Sequence, residues 1–250
     1  MKIYLAGIST ATELFYEHKG GPYLLMSFLE GKKLNLTRLD TKQLLLDSGA
    51  FTYLNTKKNA KLDWDKYIIE YAEFINKHNI DLFFELDIDP IVGLKEVERL
   101  RAKLEKITNK QCIPVWHKSR GLEYWKKMCK EYNYIAIGGI VTKEIKQTQY
   151  KIFAPLLKIA KENKCKVHAL GFTRSRELHK YKFYSVDSTN WITTRFNNYY
   201  IFNGKMGIME AKRKNIGDSR LRVKKEKIDE YNLMQINEWV KFQKYAELNL

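Results

Sequence analysis

The chain is short of several features that mark out whole classes of protein. It has three cysteines, Cys112, Cys129 and Cys165, an odd number at wide spacing, so neither a disulfide framework nor a Cys-x-x-Cys clip for zinc or redox work is written in it. Its apolar runs fall far below the roughly 20 residues that cross a bilayer. The opening Met-Lys-Ile-Tyr-Leu-Ala-Gly is interrupted by Ser9, Thr10 and Thr12 before it reaches the length of a secretory core. Reduced thiols, a cytoplasmic location and no membrane contact are therefore expected. A Gly-x-Gly-x-x-Gly after the first apolar segment is missing, as is a Walker loop, which argues against dinucleotide binding and P-loop chemistry.

Negative charge is also scarce: 29 acidic residues face 45 basic ones, for a net charge of +16. Such an excess gathers polyanions by long-range attraction, so nucleic acid is the expected partner class. A Lys-rich solvated surface is the plainer alternative. What is present in quantity is apolar and aromatic residues, 44% and 13% of the chain, enough to exclude a disordered polymer and to fill a core. At this length a single domain over residues 1–250 is expected.

Strand-like and helix-like segments alternate along the chain. Residues 2–6 read as a first strand closed by Gly7, followed by a loop with Gly20, Gly21 and Pro22 and a helix expected around residues 24–29. In Gln43-Leu-Leu-Leu-Asp-Ser-Gly-Ala-Phe-Thr-Tyr53, three leucines run straight into Asp47, Ser48 and Gly49. Asp63 can N-cap a helix over residues 64–78, where Tyr67, Ile68, Tyr71, Phe74 and Ile75 recur at helical spacing. Phe83, Phe84 and Leu86 then lead to Asp87 and Asp89 before Pro90 ends the ladder.

Further helices are expected over residues 94–107, 121–132 and 152–163. Strands are expected over 112–117, ending at His117, over 134–140, ending in Gly138-Gly139-Ile140, and over 166–172. Thr173 can cap residues 174–179. The strand Phe183-Tyr-Ser-Val delivers Asp187 to the turn Ser-Thr-Asn-Trp191, and residues 199–202 are the candidate for an eighth strand. This alternation predicts an α/β fold, a (β/α)8 TIM-like barrel with a parallel sheet.

From Lys205 the composition turns basic: Lys212, Arg213, Lys214, Arg220, Arg222, Lys224 and Lys225 form the best candidate for a phosphate-contacting surface. Residues 228–248 read as a closing helix that can dock Leu233, Ile236, Trp239, Val240 and Phe242.

In a β/α barrel the C-terminal strand ends share one rim, which would bring Asp47, Asp87 or Asp89, His117, Gly138 with Gly139, and Asp187 together. Clustered aspartates push one another's pKa values apart, so one can stay protonated while another attacks. The same carboxylates suit a divalent-metal phosphodiesterase. Structural alternatives exist for each: Asp187 as a helix cap, His117 as a satisfied core group beside Trp116, and the glycine pair as a tight turn or as room for a planar ligand.

Taken in order, Asp47-Ser-Gly-Ala-Phe, Asp87-Ile-Asp-Pro90, Ile137-Gly-Gly-Ile, Leu170-Gly-Phe and Ser185-Val-Asp-Ser-Thr-Asn-Trp resemble the tRNA-guanine transglycosylase superfamily. Among its branches the chain looks most like the phage and bacterial DNA-guanine transglycosylases called DpdA. The ordered motifs span residues 43–191. The resemblance implies a barrel that exchanges guanine for a 7-deazaguanine base without cutting the backbone. Asp187 would be the nucleophile at the sugar C1′ and Asp47 the acid/base. Asp87 or Asp89 would accept hydrogen bonds from the base edge, beside Ser48 and Gly49, and the backbone from Gly138 to Ile140 would hold the base carbonyl or amine. His117 falls near a base-reading position that is glutamine in the tRNA branch.

The tRNA enzymes carry a Cys-x-Cys-x-x-Cys cluster with histidine for zinc, whereas no cysteine follows Cys165 here. No metal and no cofactor are therefore expected. The short chain favours DNA over folded tRNA, as single strand or with a flipped nucleotide, and Trp191, Tyr199 or Tyr200 are candidates to stack on bases. Exchange into tRNA and a non-catalytic nucleic-acid-binding barrel are the alternatives.

Overall fold

The structure, a computed structural model, describes residues 1–50, 63–172, 174–192, 198–204, 207–212 and 227–250. Eight parallel strands form one sheet: β1 Lys2–Ala6, β2 Tyr23–Ser27, β3 Gln43–Asp47, β4 Leu82–Phe83, β5 Val115–Trp116, β6 Tyr134–Ile137, β7 Lys166–Ala169 and β8 Ser185–Ser188. Their order, β4-β3-β2-β1-β8-β7-β6-β5, leaves β4 and β5 at the two edges. The edges meet just beyond the strands, where Phe84 bridges Ile113. There Ile113 N–H donates to the Phe83 carbonyl at 2.8 Å and Glu85 N–H to the Ile113 carbonyl at 3.1 Å. The curled sheet thereby closes through a short seam, giving the α/β TIM-like fold that the alternation predicts.

Strand side chains alternate between two faces, and the two faces have different jobs. Tyr4, Ala6, Tyr23, Leu25, Leu45, Phe84, Ile113, Val115, Tyr134 and Ala136 form the inner cluster of the barrel. Their neighbours, among them Ile3, Leu5, Leu24, Met26, Leu46, Ile135, Ile137, Val167 and Val186, pack under the helices in a larger cluster. Burial on both faces explains the near-continuous apolar character of these strands. The helix Trp64–Lys77 shows how a helix is set on this layer. Asp63 caps it by accepting Lys66 N–H at 3.0 Å, and Tyr67, Ile68, Tyr71, Ala72 and Ile75 form the buried stripe. Ile75→Ala there removes about 2–5 kcal/mol by leaving a cavity.

Two elements differ from the sequence-based expectation. Residues 23–29 are apolar at nearly every position, so periodicity does not separate strand from helix. The structure splits them into β2 and a short helix Phe28–Gly31. The break comes at Ser27, whose hydroxyl accepts Glu30 N–H at 3.2 Å while the Glu30 carboxylate accepts Ser27 N–H at 2.9 Å, a capping box. β2, not residues 199–202, therefore completes the eight. Those later residues lie in β9 Asn198–Asn203, paired antiparallel with β10 Gly207–Lys212 in a separate ribbon.

The helix Ile228–Asn249 closes the molecule. Gln243 donates to the carbonyls of Ile3 and Tyr23 at 2.7 and 3.2 Å, near the starts of β1 and β2, so the helix covers the end of the barrel opposite the carboxylates. Ile236, Trp239, Val240 and Phe242 are buried, whereas Leu233 stays 40% exposed rather than docking. The same helix covers the backbone of β9: Gln235 accepts Tyr200 N–H at 2.7 Å and donates to the Tyr200 carbonyl at 3.0 Å. Among the described residues no helix is long and apolar enough to cross a membrane.

Candidate active site at the C-terminal rim

Asp47 ends β3, Asp187 lies one residue before the end of β8, and Asp87, His117, Gly138 and Gly171 follow β4, β5, β6 and β7. All six line one cavity of about 690 Å³. Six of the eight parallel strands, β3 to β8, therefore deliver a polar or side-chain-free position to the same mouth, as the barrel geometry favours.

Asp187 is 9% exposed. Its Oδ1 accepts the Gly171 N–H at 2.7 Å and is bonded to His168 Nε2 at 3.1 Å. Gly171 turns with a φ of +68°, which disfavours any side chain there, and a Cβ would also crowd the exposed Val141. The capping role expected of this stretch falls to Ser188 rather than to Asp187 itself. The turn that follows is closed by Ser188, whose hydroxyl accepts Asn190 N–H at 3.1 Å.

Asp47 accepts only Gly49 N–H, at 3.3 Å, among the described residues. Burial pushes its carboxyl up to about 6. The Gly49 N–H opposes the rise, and the negative charges of Asp87, Asp187 and Glu30 add to it. Gly49 supplies this N–H from a φ of +68°, with Leu29 packed behind it. Ser48 lines the cavity while its carbonyl accepts the Tyr67 hydroxyl at 2.6 Å, which anchors the loop to the helix Trp64–Lys77.

Across the mouth, His117 is clamped between two carboxylates, with Nε2 2.6 Å from Asp87 and Nδ1 2.9 Å from Glu144. Burial lowers its basicity, but Asp87 and Glu144 outweigh burial and raise the ring to about 9. Glu144 also accepts Ser119 N–H at 2.8 Å. Burial works against its ionisation, yet these partners hold it below its ordinary range. Both ring nitrogens of His117 are thus engaged by carboxylates, and the ring lines the cavity beside Asp87. Gly138 exists for this ring: a Cβ there would stand 2.7 Å from His117 Cε1, and one on Gly139 would stand 2.7 Å from Glu144 Oε2. The glycines thus make room for protein side chains, although both also line the cavity.

Asp87 and Asp89, left open by the sequence, part company here. Asp87 lines the cavity, and Asp89 turns away to accept Arg120 Nε at 3.0 Å. Arg120 reaches on to the fully buried Glu85 at 3.1 Å, which Arg101 holds from the other side at 3.0 Å. Burial pushes Glu85 up, opposed by both guanidiniums. Ile140 is 9% exposed and belongs to the core under the helices rather than to the cavity lining. Trp191 is fully buried, its Nε1 donating to the Ala6 carbonyl at 2.8 Å, so it is core and not a stacking surface. Tyr200 packs edge-on against Trp239 at 5.6 Å.

Lys212 ends β10, whereas Arg213, Lys214, Arg220, Arg222, Lys224, Lys225 and the cap candidate Thr173 lie outside the described residues. Asp87, Asp89 and His117 bring ligand atoms within 4.8 Å of one another, the one such group among the described residues. Ion pairs within the protein already engage all three.

Sequence reasoning missed His168, Glu144 and Arg174. His168 sits mid-strand in an apolar context, and only the alternation Lys166-Val-His-Ala hinted that it faces inward with Asp187. Glu144 lies in a turn with no pattern of its own. Arg174, exposed at the cavity edge, is held by Gln147 at 2.7 Å.

No family model and no curated protein sequence matches the chain. Among solved structures, the carboxyl transferase domain of Rhizobium etli pyruvate carboxylase, with 3-bromopyruvate, is similar at a TM-score of 0.48 and 16% identity. That likeness covers 98% of this chain, which spans 48% of the other.

Proposed function

We propose that this protein is a nucleic-acid base-exchange enzyme that replaces guanine with a 7-deazaguanine base, with DNA as its substrate. The observation that carries the reading is the pairing, at one cavity, of Asp187, which accepts both its hydrogen bonds at a single oxygen, with Asp47, whose carboxyl is raised to about 6. One group is arranged to attack and the other to hold or take a proton near neutrality. The ordered motifs from Asp47 to Trp191 point the same way.

Asp187 Oδ2 attacks the sugar C1′ and forms a C1′–O bond. The C1′–N9 bond breaks, its electron pair leaves with guanine, and Asp47 gives that base a proton. The incoming 7-deazaguanine then loses its N9 proton to Asp47 and attacks C1′, and the bonding pair of the C1′–O bond returns to Asp187. Atoms, charge and protons balance, and no phosphodiester bond is touched. The scheme parallels a retaining glycosidase with a base in place of water. Asp87, oriented by His117, faces the base as an acceptor for its donor edge. The net charge of +16 draws the strand to the protein.

The test is denaturing electrophoresis of the protein with a single-stranded guanine-containing oligonucleotide, with and without 7-deazaguanine bases. A slow-migrating adduct that requires Asp187 and disappears on adding base is the expected result. An adduct with tRNA alone would move the substrate and keep the chemistry. No adduct with either nucleic acid would refute the reading.

A further inference from the structure

Behind Asp187 a line of polar side chains runs down the interior of the barrel, where apolar packing is the rule. His168 Nε2 meets Asp187 Oδ1 at 3.1 Å, His168 Nδ1 meets Ser185 Oγ at 2.6 Å, and Ser185 Oγ meets the Tyr134 hydroxyl at 2.5 Å. His168 and Ser185 are fully buried, and Tyr134 is 8% exposed. The register accounts for the line: His168 pairs with Ser185 across β7 and β8, and Asp187 follows Ser185 by two residues on the same face. The His168 ring is packed by Phe84 from the β4 end at 5.3 Å and by Tyr4 of β1 at 6.0 Å. The charged and titratable groups facing it are Asp187, Tyr134 and Tyr4.

Three polar groups in such a place are expensive unless every one is satisfied, and their hydrogens can be ordered in one direction. A carboxylate only accepts, so Nε2 carries the imidazole hydrogen. In a neutral ring Nδ1 is then an acceptor, to which Ser185 can donate while its oxygen accepts from Tyr134. Burial raises the Tyr134 phenol far above its ordinary range, so its proton stays in place. Every donor points toward Asp187 Oδ1, where the Gly171 N–H arrives as well. No partner of Oδ2 is found among the described residues.

The geometry points to His168, Ser185 and Tyr134 as a positioning chain that reserves Oδ1 of Asp187 for hydrogen bonding, leaves Oδ2 to react, and speeds release of Asp187 from its covalent adduct. This inference rests on the base-exchange reading for its last clause. When C1′ is bound to Oδ2, Oδ1 is the ester carbonyl oxygen. Donors already aimed at it stabilise the negative charge that returns as the C1′–Oδ2 bond breaks. His168 gives up no proton in the step. It acts through Asp187 and is a positioning residue.

The test combines single-turnover kinetics with 15N NMR of the imidazole. His168→Leu is expected to leave oligonucleotide affinity unchanged and to slow adduct resolution about a hundredfold, the scale of one lost donor at such an oxygen. His168→Gln, whose amide N–H can stand where Nε2–H stood, recovers most of that rate. Ser185→Ala and Tyr134→Phe give smaller losses in the same step. The 15N shifts, assigned by difference from His168→Gln, are expected to report the Nε2–H tautomer in the wild type and a mixture in Ser185→Ala.

Equal rates for the Leu and Gln variants, a loss confined to oligonucleotide affinity, or a hydrogen on Nδ1 in the wild type, as the Nδ1–H tautomer or the imidazolium, would each overturn the chain. A wild type with the Nε2–H tautomer that forms no adduct with DNA or tRNA would remove the base-exchange reading and, with it, the claim about adduct release, while supporting the hold on Oδ1.

Discussion

Two histidines near the mouth of the barrel are held in opposite ways: His117 lines the cavity, whereas His168 is fully buried behind Asp187. His117 sits between two partly exposed carboxylates, Asp87 and Glu144, which raise it to about 9 and keep it an imidazolium at neutral pH. Behind it lies a second ionic layer of Asp89, Arg120, Glu85 and Arg101. His168 lies in the barrel interior between a hydroxyl and a carboxylate, with aromatic rings around it. One side is an ion-pair lattice that fixes Asp87, and the other is a buried hydrogen-bonded line of His168, Ser185 and Tyr134 that ends on Asp187. A rigid acceptor suits recognition of a donor-rich base edge. A carboxylate held at one oxygen by the Gly171 N–H and His168 suits covalent chemistry through the other.

Separating those roles is the strongest test of this contrast. In the adduct assay Asp187→Ala is expected to lose on the order of 10⁴-fold in rate, the scale for removal of a catalytic side chain. Asp87→Asn is expected to keep adduct formation but lose the preference for a guanine-like base over adenine, scored by competition. Equal behaviour of the two variants would erase the distinction between the two sides. Next in size, Arg120→Met leaves Glu85 buried with one guanidinium and should lower stability by about 3 kcal/mol, or about 10 °C in Tm by thermal unfolding.

Asp47 provides a test through pH. Its carboxyl is raised to about 6, so the rate of adduct formation should fall tenfold per pH unit above 6 as the proton is lost. In the unfolded chain the group ionises near 3.8, so rising pH favours unfolding between 3.8 and about 6. Asp47→Asn should therefore be inactive, yet melt about 3 °C higher than the wild type above pH 6. A pH-independent adduct rate would remove Asp47 from the acid/base role.

The smallest expected effect is at His117. Its folded-state pKa, about 9, exceeds the unfolded 6.5, so its stabilising contribution is complete below pH 6.5 and declines as pH rises through 9. Glu144→Gln should bring that decline to lower pH at a stability cost of about 1 kcal/mol or less, followed by thermal melts from pH 6 to 10.

Much of the fold was legible because a parallel barrel imposes a repeated local pattern, an apolar strand running into a polar turn and then an amphipathic helix. Seven strands could be read in this way. β2 could not, since Tyr-Leu-Leu-Met-Ser-Phe-Leu carries no period, and only its place beside β1 and β3 makes it a strand. Residues 199–202 have strand character, which says nothing about which sheet receives them. In the site, Asp47, Asp87 and Asp187 stood out because each follows an apolar strand. His168 and Glu144 did not, because a polar residue inside a strand or turn gains meaning only from partners far away in sequence.

Local chemistry therefore determined the α/β alternation, the strand-end aspartates and the basic excess, since each follows from neighbouring residues and summed charge. The tertiary structure decided which carboxylates face the cavity, which histidine is clamped between two of them, and which oxygen of Asp187 is already engaged. Those outcomes depend on burial and on distances of a few ångströms between strands, and charge energies change steeply over such distances in a medium drier than water.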